Sequence, residues 1–149
     1  MLNKDIEYMK RALELAKECA EQGEVPVGAV VVRDGEIIAA ASNKRESFGD
    51  ATAHAEVEAI RQACKRLGRW RLSDCELYVT LEPCPMCAGA ILNSRIKRVV
   101  FGAKDPRGGA MGSLVDLCSY PFFYRPEVES GLLEDECRVL LGEFFKKKR

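Results

Sequence analysis

The sequence predicts an α/β fold: a three-layer α/β/α sandwich around a mixed, five-stranded sheet. Three observations carry that prediction. Short β-rich runs alternate along the chain with stretches of helical periodicity, as layered α/β proteins require. The first two runs flank Asp34-Gly35, a strong two-residue hairpin signal. No repeat, low-complexity segment or linker divides the 149 residues, so one domain with one core is expected.

The elements follow in order. Ile6, Met9, Leu13, Ala16 and Ala20 recur at helical spacing, so an amphipathic helix is predicted from about Lys4 to Glu21, stopped by Gly23. Val27 to Arg33 and Glu36 to Ala41 are the strands of the hairpin. Ser42 to Ala53 is polar and reads as a loop. Thr52 then caps a helix running to Leu67, with Val57, Ile60, Cys64 and Leu67 on its inner face and Gly68 closing it. Cys75 to Thr80 is a strand, broken by Glu82-Pro83, and a short helix runs from about Cys84 to Asn93. Arg98 to Gly102 is a strand, and Ala103 to Ser113 a Gly-rich loop. Val115 and Leu117 suggest a turn or two of helix, Val128 to Ser130 a short edge strand, and Asp135 to Phe145 a closing helix.

Composition narrows the class. Hydrophobic residues are 47% and charged residues 31% of the chain, which is globular rather than disordered. The longest apolar run, Val25 to Val32, has only strand length, so no membrane span is expected. The polar N-terminus lacks a signal-peptide apolar region, and a cytoplasmic protein is expected. Cations and anions balance at 23 each, so any nucleic-acid-binding surface must be local. Seven cysteines in a reducing compartment argue against a disulfide framework. Cys19, Cys64, Cys75, Cys118 and Cys137 read as small buried hydrophobes.

Two short pieces carry chemistry: His54-Ala55-Glu56 and Pro83-Cys84-Pro85-Met86-Cys87. Residues two apart on a helix do not share a lateral face, so His54 and Glu56 can converge only off the helix end. Cys84 and Cys87, three apart, do share one. The helix after His54 carries the chain roughly 20 Å away at about 1.5 Å per residue. The following strand returns it by a similar length at about 3.3 Å per residue, which brings Cys84 beside His54. Both helix N-termini then aim at one centre and favour thiolate over thiol.

One imidazole and two thiolates form a three-ligand site with a fourth position open, the arrangement of catalytic zinc. Such a site lowers the pKa of bound water towards about 7, giving hydroxide at neutral pH. Glu56 is then free to shuttle protons, from the water to a ring nitrogen and later to the departing amine. A zinc knuckle with a fourth ligand from Cys75 or Cys118 would leave Glu56 without purpose. A redox Cys-x-x-Cys would leave the only histidine unexplained.

The pairing of His-x-Glu with a downstream Pro-Cys-x-x-Cys is the signature of the zinc deaminases. From about Lys4 to Phe145 the sequence resembles the bacterial tRNA adenosine deaminases, which convert the wobble adenosine of an anticodon to inosine. The matching stretches are Gly23 to Val30, Thr52 to Glu56, Trp70 to Leu72, Leu77 to Ala90 and Ser94 to Ile96. Gly108 to Ser113 looks like that family's Gly-rich substrate loop. The resemblance implies a cytidine-deaminase-like fold, one Zn2+ per chain, a homodimer, and a tRNA anticodon loop as partner with its adenine flipped to the metal. It places Asn43 and Ala55 on the base, and Val27 as an apolar wall of its pocket. Asp105 and Arg107 fall in the loop that meets neighbouring nucleotides. Phe144, Phe145 and the Lys146 to Arg149 tail match the C-terminal helix that touches RNA. Aromatics there can stack bases while cations meet phosphate. The helix after Cys87 is expected to offer Ala88, Ala90, Ile91 and Leu92 to the dimer.

One departure bears on substrate. Where the tRNA deaminases carry Asn-His after the Gly-rich loop, this chain carries Phe123-Tyr124. Asparagine both donates and accepts hydrogen bonds, whereas phenylalanine offers only a stacking face. The alternative is therefore a deaminase of a free nucleobase or nucleoside, with Phe122, Phe123 and Tyr124 as an aromatic lid. A noncatalytic zinc or RNA-binding module is the third reading.

Overall fold

A computed structural model describes residues 2–148, with side chains from residue 4 onward. Strands β1 (Gly28–Arg33), β2 (Glu36–Ser42), β3 (Cys75–Leu81), β4 (Arg98–Ala103) and β5 (Glu127–Ser130) form one sheet in the order β2-β1-β3-β4-β5. β1 runs antiparallel to β2 and β3, and β3, β4 and β5 run parallel, so the sheet is mixed as expected. Helices α1 (Leu2–Glu21) and α5 (Glu134–Lys148) cover one face, and α3 (Ala55–Leu67) and α4 (Pro85–Ser94) the other. A single turn, α2 (Arg45–Phe48), precedes α3.

The strands serve two cores through their period-two alternation. Val30, Val32, Tyr78 and Val100 point to Tyr8, Met9, Ala12 and Cys137 on the α1/α5 side. Ala29, Val31, Leu77, Val79, Val99 and Phe101 point to Ala59, Ile60, Ala63, Ala88 and Ile91 on the α3/α4 side. A sheet covered on both faces reads as unbroken apolar runs. Where α1 crosses β1, a Cβ on Gly28 would lie 1.9 Å from the Ala12 carbonyl oxygen, so glycine sets that close approach.

The hairpin turns through Asp34 (φ 51°) and Gly35 (φ 78°), the paired positive φ angles of a primed turn. The predicted loop from Ser42 to Ala53 is more structured than its composition indicates. β2 continues to Ser42, and α2 is held from outside by Glu24, whose buried carboxylate accepts the Glu46 and Ser47 N–H groups and the Ser47 hydroxyl. Burial acts to raise the pKa of Glu24, but those bonds outweigh it and hold the group below the usual carboxylate value.

Thr52 is not the cap of α3. Its N–H and hydroxyl both donate to Asp50 Oδ1, a local turn that outcompetes capping, and His54 occupies the N-cap. The inner face of α3 is also rotated from the prediction. Ala55, Ala59, Ile60 and Ala63 are buried, whereas Val57, Cys64 and Leu67 are half-buried. Small residues face the sheet because the helix lies close over it. Elsewhere boundaries shift by a few residues: α4 starts at Pro85 and α5 extends to Lys148.

Far from the metal-ligand motifs, Arg98 of β4 gathers an ion network. Its guanidinium meets Asp5 of α1 at 3.0 Å, Glu76 of β3 at 3.2 Å and Glu129 of β5 at 2.6 Å, and donates to the Tyr78 hydroxyl. The Arg98 hydrogen bonds hold the Asp5 carboxyl below its ordinary range in spite of burial.

Candidate active site and metal centre

The site forms at the N-terminal ends of α3 and α4, where both chain segments enter their helices in extended conformation at His54 and Cys84. Pro85 follows Cys84 at the first helical position, where its missing N–H is harmless. These entries bring three donors together. His54 Nδ1 lies 3.6 Å from Cys84 Sγ and 3.5 Å from Cys87 Sγ, and all three ligand atoms lie within 4.8 Å of one another.

The fit to a zinc ion is testable from these distances. Tetrahedral zinc, with Zn–S near 2.3 Å and Zn–N near 2.05 Å, places sulfur and nitrogen about 3.6 Å apart. The observed separations agree, and the donor set is the soft thiolate–imidazole type that zinc prefers. Cys84 is the readier thiolate of the pair, since the same contact that lowers it pushes the Cys87 thiol up. The hydrogen bond from Cys87, then contact with His54, pulls the Cys84 thiol down to about 4 against the pull of burial. Among the described residues, no fourth His, Cys, Asp or Glu joins the group.

Glu56, one residue into α3 beyond Ala55, is buried at 4% exposure and lies outside the ligand group. Burial raises its carboxyl to about 7 against the opposing pull of its own backbone N–H and of His54, and there it can both take and give a proton. A cavity of about 150 Å³ opens beside it, lined by Val25, Val27, Asn43, Arg45, His54, Glu56, Leu81, Glu82, Cys84 and Asp105. A second space of about 280 Å³ adjoins it, sharing Val25, Asn43 and Arg45 and walled by Phe144, Phe145 and Lys148. A larger groove of about 550 Å³ lies between α1 and α5 and holds none of the ligands.

Most of the residues singled out in the sequence converge here. His54, Cys84 and Cys87 form the ligand group, Glu56 sits beside it, and Val27, Asn43 and Asp105 line the cavity. Asn43 has structural work as well: its Oδ1 accepts the Ala55 N–H at 2.9 Å and its Nδ2 donates to the Val25 carbonyl at 3.1 Å. Ala55 is fully buried behind that bond. Phe145 reaches the adjoining space. Arg107 stands exposed on the loop, its N–H donated to Asp105 Oδ1. Arg149 lies outside the described residues.

Phe123 and Tyr124 are elsewhere. Arg95 stacks over the Phe123 ring at 4.3 Å, and Tyr124 donates its hydroxyl to the Ile96 carbonyl. Neither residue, nor Phe122, lines the cavity within the chain, so the aromatic lid expected of a free-base enzyme is not formed there. The α4 residues expected at a dimer contact are corrected too. Ala88, Ile91 and Leu92 are buried in the chain's own core, because that stripe of the helix faces the sheet. The outward face of α4 is instead Met86 and Asn93 with half-buried Ala90, beside exposed Trp70.

Two functional neighbours escaped the sequence reading. Arg45 lines both cavities from a segment read as loop. Glu82 is 2% exposed and fully hydrogen-bonded. A usable signal existed: an acid closing a buried apolar strand must find partners, since an unpaired buried charge is too costly.

Comparison with known proteins agrees with this geometry. The family model of the MafB19-like deaminases matches residues 3–149. The tRNA-specific adenosine deaminase of Bacillus subtilis is 53% identical over 149 residues, covering 99% of this chain and 92% of its own. A structure from work on A-to-I editing by tRNA:A34 deaminases superposes with a TM-score of 0.88 at 48% identity, covering 90% of this chain and 98% of its own. The guanine deaminase of Nitrosomonas europaea is more distant, with a TM-score of 0.75 at 28% identity over 92% of this chain and 82% of its own.

Proposed function

The chain belongs to the family of the tRNA-specific adenosine deaminases, within the MafB19-like deaminases, and from that premise we propose that it hydrolyses adenosine to inosine at the wobble position of a tRNA anticodon. The observation that carries the reading is the ligand group His54, Cys84 and Cys87 beside a buried, unligated Glu56 in a cavity with no lid of its own. Phe122, Phe123 and Tyr124, the residues that would close over a free base, do not line that cavity, which favours a base presented on a loop.

His54, Cys84 and Cys87 would hold one Zn2+ per chain, which when bound supplies a water acidic enough to react at neutral pH. The flipped adenine enters between Val27 and the Asn43 side, with its exocyclic amine towards Glu56. Glu56 takes one proton of the attacking water as the new C–O bond forms and delivers it to the ring nitrogen; it then takes the second proton from the resulting hydroxyl and passes it to the amine, so that the C–N bond breaks, the carbonyl forms and ammonia leaves. Its burial suits that traffic, because a carboxyl near 7 gives up and regains protons at similar cost. Asp105 and Arg107 on one rim, and Phe145 with Lys148 on the other, would meet the flanking nucleotides. The enzyme would work in the cytoplasm as a homodimer.

The deciding experiment is ammonia release from an adenosine-bearing anticodon stem-loop, run beside free adenosine, adenine, guanine and cytosine. Inosine in the stem-loop, with the free compounds inert, is the expected result. Turnover of a free base with an untouched stem-loop would replace this reading with the nucleobase one.

A further inference from the structure

Glu82 follows Leu81, the last residue of β3, and directly precedes Pro83-Cys84, and its carboxylate is engaged on every side by the Gly-rich loop. Oε1 accepts the Asp105 N–H at 3.0 Å and the Ser113 hydroxyl. Oε2 accepts the Met111 N–H at 3.0 Å and the Ser113 N–H at 3.1 Å. The backbone adds to the clasp, with Glu82 N–H donating to Ala103 and Ala110 N–H to Pro83. The loop can approach this closely only because residue 109 is glycine: a Cβ there would stand 2.3 Å from the Glu82 carboxyl carbon and 2.6 Å from the Asp105 carbonyl oxygen. Asp105 in turn uses its own Oδ1 to take the Arg107 and Gly108 N–H groups. A chain of acceptors therefore runs from the buried strand end to the cavity rim.

We infer that Glu82 is a positioning residue for substrate. By binding the amides of Asp105, Met111 and Ser113 it sets the loop from 104 to 113, and so places Asp105 at the wall of the catalytic cavity and Arg107 outside it. Its role is separate from the proton work of Glu56, because all its acceptor capacity is spent on the loop. An exposed loop of this kind, without the buried acceptor, would sample many conformers and bind substrate at a cost in entropy. The inference rests on the deaminase reading of the site for its substrate readout, and not for its structural one.

The test uses the zinc-loaded enzyme with Glu82→Gln, Glu82→Ala and Gly109→Ala. Hydrogen exchange at the amides of Asp105, Met111 and Ser113 should accelerate in all three, with the β1 and β3 amides still protected and metal content intact. KM for the stem-loop should rise roughly tenfold or more, as buried amides lose a charged acceptor. The turnover number at saturation should stay within about threefold, and Glu82→Gln, which keeps one carbonyl acceptor, should be milder than Glu82→Ala. Glu82→Gln also carries the test if Glu82→Ala fails to fold. A fall in turnover with KM unchanged would overturn the inference, because the carboxylate would then act on the chemistry. Faster loop exchange with no change in KM would overturn it as well. A wild-type enzyme inert on the stem-loop sinks only the substrate reading, and the same split is then read on whichever free base it turns over.

Discussion

His54 stands at the N-cap of α3 yet makes no capping bond, because its Nδ1 faces the two thiols, and the first open amide of that helix passes to Asn43 Oδ1 instead. A capping acceptor is worth about 0.5–2 kcal/mol, so Asn43→Ala should lower the urea midpoint by a matching amount while Asn43→Asp, which keeps the oxygen, restores most of it. The same change should weaken substrate handling and leave zinc in place, which metal analysis of the purified variant reads directly. The ligands behave differently. Cys87→Ser should lose most of its zinc, since a hydroxyl replaces a thiolate at a site with only three protein donors. Glu56→Ala should keep fold and metal but lose roughly 10²–10⁴-fold in turnover, the scale of a missing general acid–base. A Glu56→Ala enzyme that is zinc-replete and active would remove the proton-shuttle role. His54, Cys84 and Cys87 were legible in the sequence because chemistry fixes their type and helix geometry their spacing. The partners of Asn43 and Glu82 were not, because they lie 12 and 23–31 residues away, beyond any local pattern, even though the burial of an acid at the end of an apolar strand signals that partners must exist.

The helices differ in how much of their role periodicity reveals. α1 has apolar residues on one clear stripe, and the sequence located it to within a few residues. α3 was found but turned by the wrong angle, since its sheet side is alanine and its bulkier residues lie at the flank. α2 was missed because its stability comes from Glu24, a residue on another segment. α5 carries the most direct test at this scale. Its last turn gathers Lys146, Lys147 and Lys148 next to Phe144 and Phe145. If these meet phosphate, binding of a stem-loop should weaken with salt, with a log–log slope of roughly −0.7 per contact on a single strand. Removing residues 146–149 should flatten that slope and raise KM, with turnover at saturation little changed. A slope identical in the truncated and full chains would take the tail out of the interface. Phe123→Ala, by contrast, should cost little activity in the stem-loop assay, since its ring is spent on Arg95 rather than on the cavity.

For the molecule as a whole, the sequence foretold the layers and the strands, whereas the ion network that binds four of its elements together lay outside any local reading. Asp5 sits below its ordinary pKa in the fold, so it stays ionised in the native state to lower pH than in the unfolded chain. Its contribution is complete above the unfolded carboxylate value of about 3.9 and disappears as pH falls through the depressed native value. Asp5→Asn should therefore cost about 1–3 kcal/mol at neutral pH and flatten the acid limb of a stability–pH curve below about pH 4, as followed by urea unfolding. Assembly is checked by light scattering at micromolar concentration, where a homodimer gives twice the 16.6 kDa of one chain. The order of the strands has a kinetic side. Ala29 pairs with Val79, fifty residues later, at one end of the antiparallel ladder by which β1 joins the hairpin to the parallel half of the sheet. Closing so long a loop is entropically uphill until the ladder is made, and non-local pairing of this kind slows folding. Two of the candidate metal ligands ride on the segment this closure encloses or ends, so His54 and Cys84 should meet late in folding, after the β1–β3 ladder is made. Zinc should then slow unfolding far more than it speeds folding.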